Sequence, residues 1–137
     1  MAVVYLTRRA TFSSAHRLHS PELSAEENRL IFGKCNNPNG HGHNYTLEVT
    51  VRGEINPVTG MVLNLTELKK AMEETVIAEV DHKHLNLDVP IFREINPTAE
   101  NMVVVFWKLL EQRLKGDILY EVKLWETENN VAVYRGE

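Results

Sequence analysis

A single cysteine in 137 residues, Cys35, leaves the chain no partner for an internal disulfide and agrees with a reducing, cytoplasmic location. Lysine and arginine never gather into a long run, and with a net charge of −4 and a pI near 5.9 the basic footprint of a nucleic-acid binder is missing. At the start, Met1-Ala-Val-Val-Tyr-Leu-Thr-Arg-Arg puts its charges after a very short apolar run, so neither a signal peptide nor a membrane span is expected. There is no Gly-rich dinucleotide fingerprint, internal repeat, low-complexity tract or Pro/Gly/Ser-rich linker. What remains is the expectation of one domain over residues 1–137, with 43% hydrophobic residues to fill a core and nucleic acid an unlikely partner.

Against these absences, the run from Cys35 to Tyr45 is dense in chemistry: Cys-Asn-Asn-Pro-Asn-Gly-His-Gly-His-Asn-Tyr. From His43 onward Tyr45, Leu47, Val49 and Val51 alternate with Thr46, Glu48, Thr50 and Arg52, the period-two pattern of a half-buried strand over about 43–53. Side chains two apart share a face, so His41 and His43 point inward with the apolar set. In the first strand Val4, Leu6, Ala10, Phe12, Ser14, His16 and Leu18 share the core parity, with Arg8 as the exception. If these two segments pair, His16, His41 and His43 meet. Three histidines are a shell that leaves zinc an open fourth position. A closed structural site with Cys35 as fourth ligand, or histidines hydrogen-bonded within a core, are the competing readings.

Ser24-Ala-Glu-Glu predicts a helix over 24–32, and Asn56-Pro57-Val58-Thr59-Gly60 a turn before a hairpin return at Met61-Val62-Leu63. Asn64 caps a helix with buried stripe Leu65, Leu68, Met72 and Val76, ending near Val80. A polar loop with Asp81, His82 and His84 follows; His84 and His19 read as surface histidines. Thr98 caps a helix that buries Met102, Val103, Phe106, Leu109, Leu110 and Leu114 and stops at Gly116. A last hairpin runs through Tyr120, Val122 and Leu124, turns at Asn129-Asn130 and returns through Val131 and Val133. The fold class expected is α+β, a four-stranded antiparallel sheet with two long helices on one face. On the last long strand the core parity continues into Glu126. Either the strand has reached solvent there, or the carboxylate holds a ligand that offers two N–H donors.

In order along the chain, Phe12-Ser13-Ser14-Ala15-His16-Arg17-Leu18, Gly33-Lys34-Cys35 through His41-Gly42-His43-Asn44-Tyr45, Asp81-His82-Lys83, Pro97-Thr98-Ala99-Glu100-Asn101 and Trp125-Glu126-Thr127 resemble the 6-pyruvoyl-tetrahydropterin synthase family. That resemblance implies the T-fold, in which three subunits join their sheets into a barrel and two trimers stack as a homohexamer with active sites at subunit interfaces. It implies Zn²⁺ on His16, His41 and His43, Cys35 as the proton-abstracting base, Asp81 with His82 as a relay, Glu126 as pterin anchor, and Thr98 and Glu100 near the substrate. The implied reaction eliminates triphosphate from 7,8-dihydroneopterin triphosphate, with internal redox to 6-pyruvoyl-tetrahydropterin, on the way to tetrahydrobiopterin; Mg²⁺ is an optional companion of the triphosphate. Five residues separate Cys35 from His41, as in the pyruvoyl-forming enzymes. The related 6-carboxy-tetrahydropterin synthases of the queuosine pathway carry fewer, and a folate-linked branch has glutamate for the cysteine. Carboxy-tetrahydropterin synthesis is the enzyme alternative, and a zinc-stabilised structural module the non-enzymatic one. The family carries asparagine where His84 stands.

Overall fold

A computed structural model describes residues 2–137. β1 (Val3–His16) and β2 (His41–Glu54) pair antiparallel over their whole length, from Val3 opposite Glu54 to His16 opposite His41. A two-residue strand, β3 (Lys83–His84), joins the far end of β1 in parallel, beside Ser14 and Ala15. β4 (Leu119–Thr127) pairs with the other edge of β2, and β5 (Asn130–Tyr134) closes a hairpin on β4. The order is β3-β1-β2-β4-β5. The expected four antiparallel strands are therefore extended by a short parallel fifth.

The two long helices pack on one face of this sheet, and the short helix Ala25–Phe32 lies off it against the turn that follows. Ala25–Phe32 begins with a full capping box, Ser24 accepting from the Glu27 N–H and Glu27 from the Ser24 N–H. Leu65–Met72 is capped by Asn64 and runs on through a π turn, Glu73–Ile77, to Ala78–Val80. Ala99–Arg113 is capped by Thr98, whose hydroxyl accepts from the Asn101 N–H. Leu68, Met72 and Val76 from one long helix and Met102, Phe106 and Leu110 from the other are fully buried against Tyr45, Leu47, Val49, Val122 and Leu124 of the sheet. Each such side chain contributes about 1.5–3 kcal/mol relative to exposure.

Leu65, expected in the buried stripe of its helix, is 46% exposed, at the first position after the Asn64 cap, and two further local expectations change. Met61-Val62-Leu63 forms no strand, because both edges of β2 are already occupied by β1 and β4. Instead Asn56 folds the loop on itself, its Oδ1 accepting from the N–H groups of Val58 and Thr59, while Val62 and Leu63 lean on the core. The last helix ends at Arg113 rather than Gly116, as Leu114 turns to extended backbone at φ −87°, ψ 119°.

Candidate metal centre

The register of β1 on β2 sets His16 opposite His41 and Ser14 opposite His43, so the three imidazoles occupy one corner of the core-facing surface. Their ring centroids lie 4.7 to 5.1 Å apart. One ring nitrogen from each falls within 4.8 Å of the others. His16 Nε2, His41 Nδ1 and His43 Nε2 are all buried without a hydrogen-bond partner. Buried polar atoms rarely stay unsatisfied, so three lone pairs converging in one corner fit a metal ion.

What lies behind His16 fixes which nitrogen is offered. The Pro97 carbonyl sits 2.8 Å from His16 Nδ1 and can only accept, so Nδ1 carries the hydrogen and Nε2 the lone pair. The Tyr45 hydroxyl lies 3.3 Å from the same nitrogen, on a ring stacked against Phe12 at 4.8 Å. Burial, with smaller contributions from His41, His43 and His84, lowers the His16 pKa to about 4, against the pull of the Pro97 carbonyl. His41 is shifted the same way, by burial first and then by His43. Both are thus neutral at physiological pH, the form that ligates a cation.

Glu126 resolves the parity puzzle. Pairing between β4 and β5 slips between Trp125 and Thr127, leaving Glu126 in a bulge. Bulges re-aim a side chain. Its Oε2 reaches to 3.9 Å from His16 Nε2, at 21% side-chain exposure. Glu126 also borders a cleft of about 860 Å³ with Thr98, Glu100, Phe32 and Val131. Pro97-Thr98 is thus shared, its carbonyl holding a metal-side histidine and its hydroxyl starting the helix that walls the cleft.

Cys35 stands on a 3₁₀ turn, Gly33–Asn36, strapped to the segment just past His16: its carbonyl accepts from the Leu18 N–H at 2.9 Å, and Asn36 Nδ2 donates to the Leu18 carbonyl at 2.8 Å. The thiol is free and half-buried. The Tyr45 phenol is pushed up, first by burial and then by smaller contributions from Glu126 and Cys35.

Asp81 and His82 sit apart from this group, against the outer edge of β1. Asp81 Oδ1 accepts from the Ser13 N–H at 2.9 Å and lies 3.0 Å from His82 Nδ1. The Ser13 contact is the main reason its carboxyl is held below the ordinary range. His82 has φ +61°, and its ring is 83% exposed. No hydrogen bond joins the pair to Cys35 among the described residues.

Sequence reasoning missed the Pro97 carbonyl and the Tyr45 hydroxyl, and it took His84 for a plain surface histidine. His84 is no free surface group: its Nδ1 is buried without a partner, and its Nε2 would lie 2.7 Å from a Cβ on Gly40, where φ is +79°. His19 Nδ1 contacts Asn36 Nδ2 at 3.1 Å. The Gly-His-Gly-His spacing carries the first signal in retrospect, since only glycine at 40 lets His84 reach that position.

Residues 5–137 match the family model described as 6-pyruvoyl tetrahydropterin synthase. The 6-pyruvoyl tetrahydrobiopterin synthase of Homo sapiens is 55% identical over 132 residues, covering 96% of this chain and 91% of its own. That of Poecilia reticulata is 54% identical over 133 residues, covering 97% and 90%. The solved structure of the Caenorhabditis elegans 6-pyruvoyl tetrahydropterin synthase superposes with a TM-score of 0.96 at 43% identity, covering 100% of this chain and 98% of that one. A Plasmodium vivax structure at 16% identity and a TM-score of 0.71 shares the fold. Carrying the histidine corner and matching these enzymes along nearly its whole length, the chain belongs to the 6-pyruvoyl tetrahydropterin synthase family.

Proposed function

We propose that the protein is a zinc-dependent 6-pyruvoyl-tetrahydropterin synthase, converting 7,8-dihydroneopterin triphosphate to 6-pyruvoyl-tetrahydropterin and inorganic triphosphate in tetrahydrobiopterin synthesis. The observation that carries this is the convergence of three unpartnered imidazole nitrogens within 4.8 Å, beside a carboxylate that borders a cleft large enough for a pterin.

His16, His41 and His43 hold the ion, which when bound supplies Lewis acidity toward the side-chain hydroxyls. Cys35 Sγ accepts a proton from the side-chain carbon bearing a hydroxyl. A weak carbon acid needs a well-placed base, and such a base contributes on the order of 10²–10⁴ in rate. Glu126 accepts two parallel hydrogen bonds from the amino and ring N–H groups of the pterin and fixes its orientation. Thr98 and Glu100 line the same cleft. Asp81 holds His82 in one orientation for proton transfer, and the solvent-facing ring of His82 reaches a neighbouring copy's site in a dimer of trimers. As triphosphate leaves, the two hydroxyl-bearing carbons become ketones; the terminal side-chain carbon, losing its C–O bond and ending as a methyl group, balances one of these oxidations, and the ring takes up the other pair of hydrogens by tautomerisation, so no external oxidant or reductant is consumed. The enzyme works in the cytoplasm on a small molecule, with Mg²⁺ as an optional companion of the triphosphate. Among the described residues no helix is long and apolar enough to cross a membrane.

The test is incubation of zinc-loaded protein and its Cys35→Ala variant with 7,8-dihydroneopterin triphosphate, with products identified by mass. Pyruvoyl product and inorganic triphosphate from the parent, and strongly slowed turnover in the variant, are expected. Acetaldehyde with 6-carboxy-tetrahydropterin would transfer the protein to the queuosine branch, and intact substrate would refute both.

A further inference from the structure

Two adjoining clefts, of about 450 and 230 Å³, share a wall of Arg17, His19 and Pro38. The larger adds His84 and Arg93, the smaller Arg29 and Lys34, and no aspartate or glutamate lines either one. This is a concentration of positive charge in a chain whose net charge is −4. Arg9, Arg113, Lys123 and Arg135 each have a carboxylate within 4.0 Å, whereas Arg17, Arg29, Lys34 and Arg93 have none among the described residues. Asp88, a nearby acid, spends its Oδ2 on the His84 N–H at 2.9 Å.

The groove is also held in shape. Arg17 is fixed along its length: its N–H donates to Asn86 Oδ1 at 2.8 Å, its carbonyl accepts from Asn86 Nδ2 at 2.9 Å, and its Nε donates to the Asn36 carbonyl at 3.0 Å. That leaves the terminal amino groups of the guanidinium without a protein acceptor. Unpaired like charges gathered in a concave site repel one another, and an anion relieves the repulsion. Planar guanidinium forks match phosphate oxygens two at a time, and a groove with several of them favours a chain of phosphates over a single carboxylate.

We infer that this groove binds a polyphosphate chain, held by Arg17, Arg29, Lys34 and Arg93 with His19 and His84. Arg17 follows His16 in the chain and Lys34 precedes Cys35, so on the catalytic reading above, the groove adjoins the segments that carry the site, and the triphosphate of a pterin substrate is one polyphosphate it could take. A free polyphosphate would be recognised by the same groups.

Arg29 and Arg93 are exposed, one in each half, so the double variant Arg29→Gln/Arg93→Gln tests the groove without touching the core. Calorimetric titration of zinc-loaded protein with the magnesium salt of tripolyphosphate, with zinc content measured before and after, should show binding that weakens with added salt. The double variant should bind at least tenfold more weakly, and the Arg29→Lys/Arg93→Lys variant should recover most of the affinity. A raised KM for the triphosphate substrate, with unchanged affinity for unphosphorylated dihydroneopterin, assigns the groove to the substrate tail; an unchanged KM assigns it to a free polyphosphate. Absence of binding to the parent, or equal binding by the double glutamine variant, overturns the inference. If the parent turns over no pterin, the catalytic reading fails while the titration still judges the groove.

Discussion

The histidine corner and the groups set around it are built on different foundations. His16 and His41 face each other across two strands that pair over their whole length, and their positions follow from every rung of that ladder. Cys35 rides a four-residue 3₁₀ turn, and Asp81 and His82 precede a strand of two residues. Burial follows the same division, complete for His16 while the His82 ring is 83% exposed. A metal set needs fixed geometry within one chain, which sheet register supplies. On the proposed reading Cys35 and His82 hand on protons and must be approachable, and their short turns leave the thiol half-buried and the imidazole open to solvent.

The strongest way to break this contrast is to remove the metal set. His16→Ala should lower zinc affinity by more than about 100-fold, beyond what outer contacts of a metal site contribute, and abolish activity. Chelation of the parent protein should abolish activity equally yet leave most of the far-ultraviolet signal and a cooperative melt, because the core of Leu47, Phe106 and Leu124 does not depend on the ion. Unfolding on chelation would show that the corner is a structural staple.

Cys35→Ala examines the other region. Turnover should fall by about 10²–10⁴. Zinc content and melting temperature should stay near the parent's, because the turn is strapped through the Cys35 carbonyl and Asn36 rather than the sulfur. Loss of zinc in this variant would make Cys35 a ligand, the closed-site alternative.

The same division governs how far the sequence could be read. Alternation along β1 and β2 is a local signal, and it put His16, His41 and His43 on one face before any pairing was known. Helix caps at Ser24, Asn64 and Thr98 are equally local. What escaped depends on contacts distant in sequence. Strand parity left Glu126 between solvent and a ligand, and what decides it is the approach of its carboxylate to His16, from the last long strand to the first. The Pro97 carbonyl meets His16 across 81 positions of chain. The supposed strand at 61–63 had a good local pattern but no vacant sheet edge to join.

A finer cut lies inside the metal corner itself. Tyr45→Phe deletes one of the two oxygens near His16 Nδ1 and leaves the Pro97 carbonyl in place. Zinc affinity should fall by no more than about tenfold, the lower end of outer-contact effects. Competition with a chromogenic chelator measures it, and a loss approaching that of His16→Ala would make the hydroxyl, not the carbonyl, the main support of the ring.

The smallest effect belongs to Asp81. Its carboxyl is held below the ordinary range, chiefly by the Ser13 N–H, so the folded state binds that proton less readily than the unfolded chain does. The resulting stabilisation is present above the ordinary carboxylate range and disappears as pH falls through the lowered value. With a third of the side chain exposed, solvent screening limits the contribution to below about 1 kcal/mol. Asparagine keeps an acceptor for Ser13 but cannot titrate. Denaturant midpoints at neutral and strongly acid pH should therefore fall less in Asp81→Asn than in the parent. An identical fall would mean that the Ser13 contact orients the loop without stabilising it, and that Asp81 and His82 are held to β1 by the His82 N–H to Ser13 carbonyl bond at 2.6 Å.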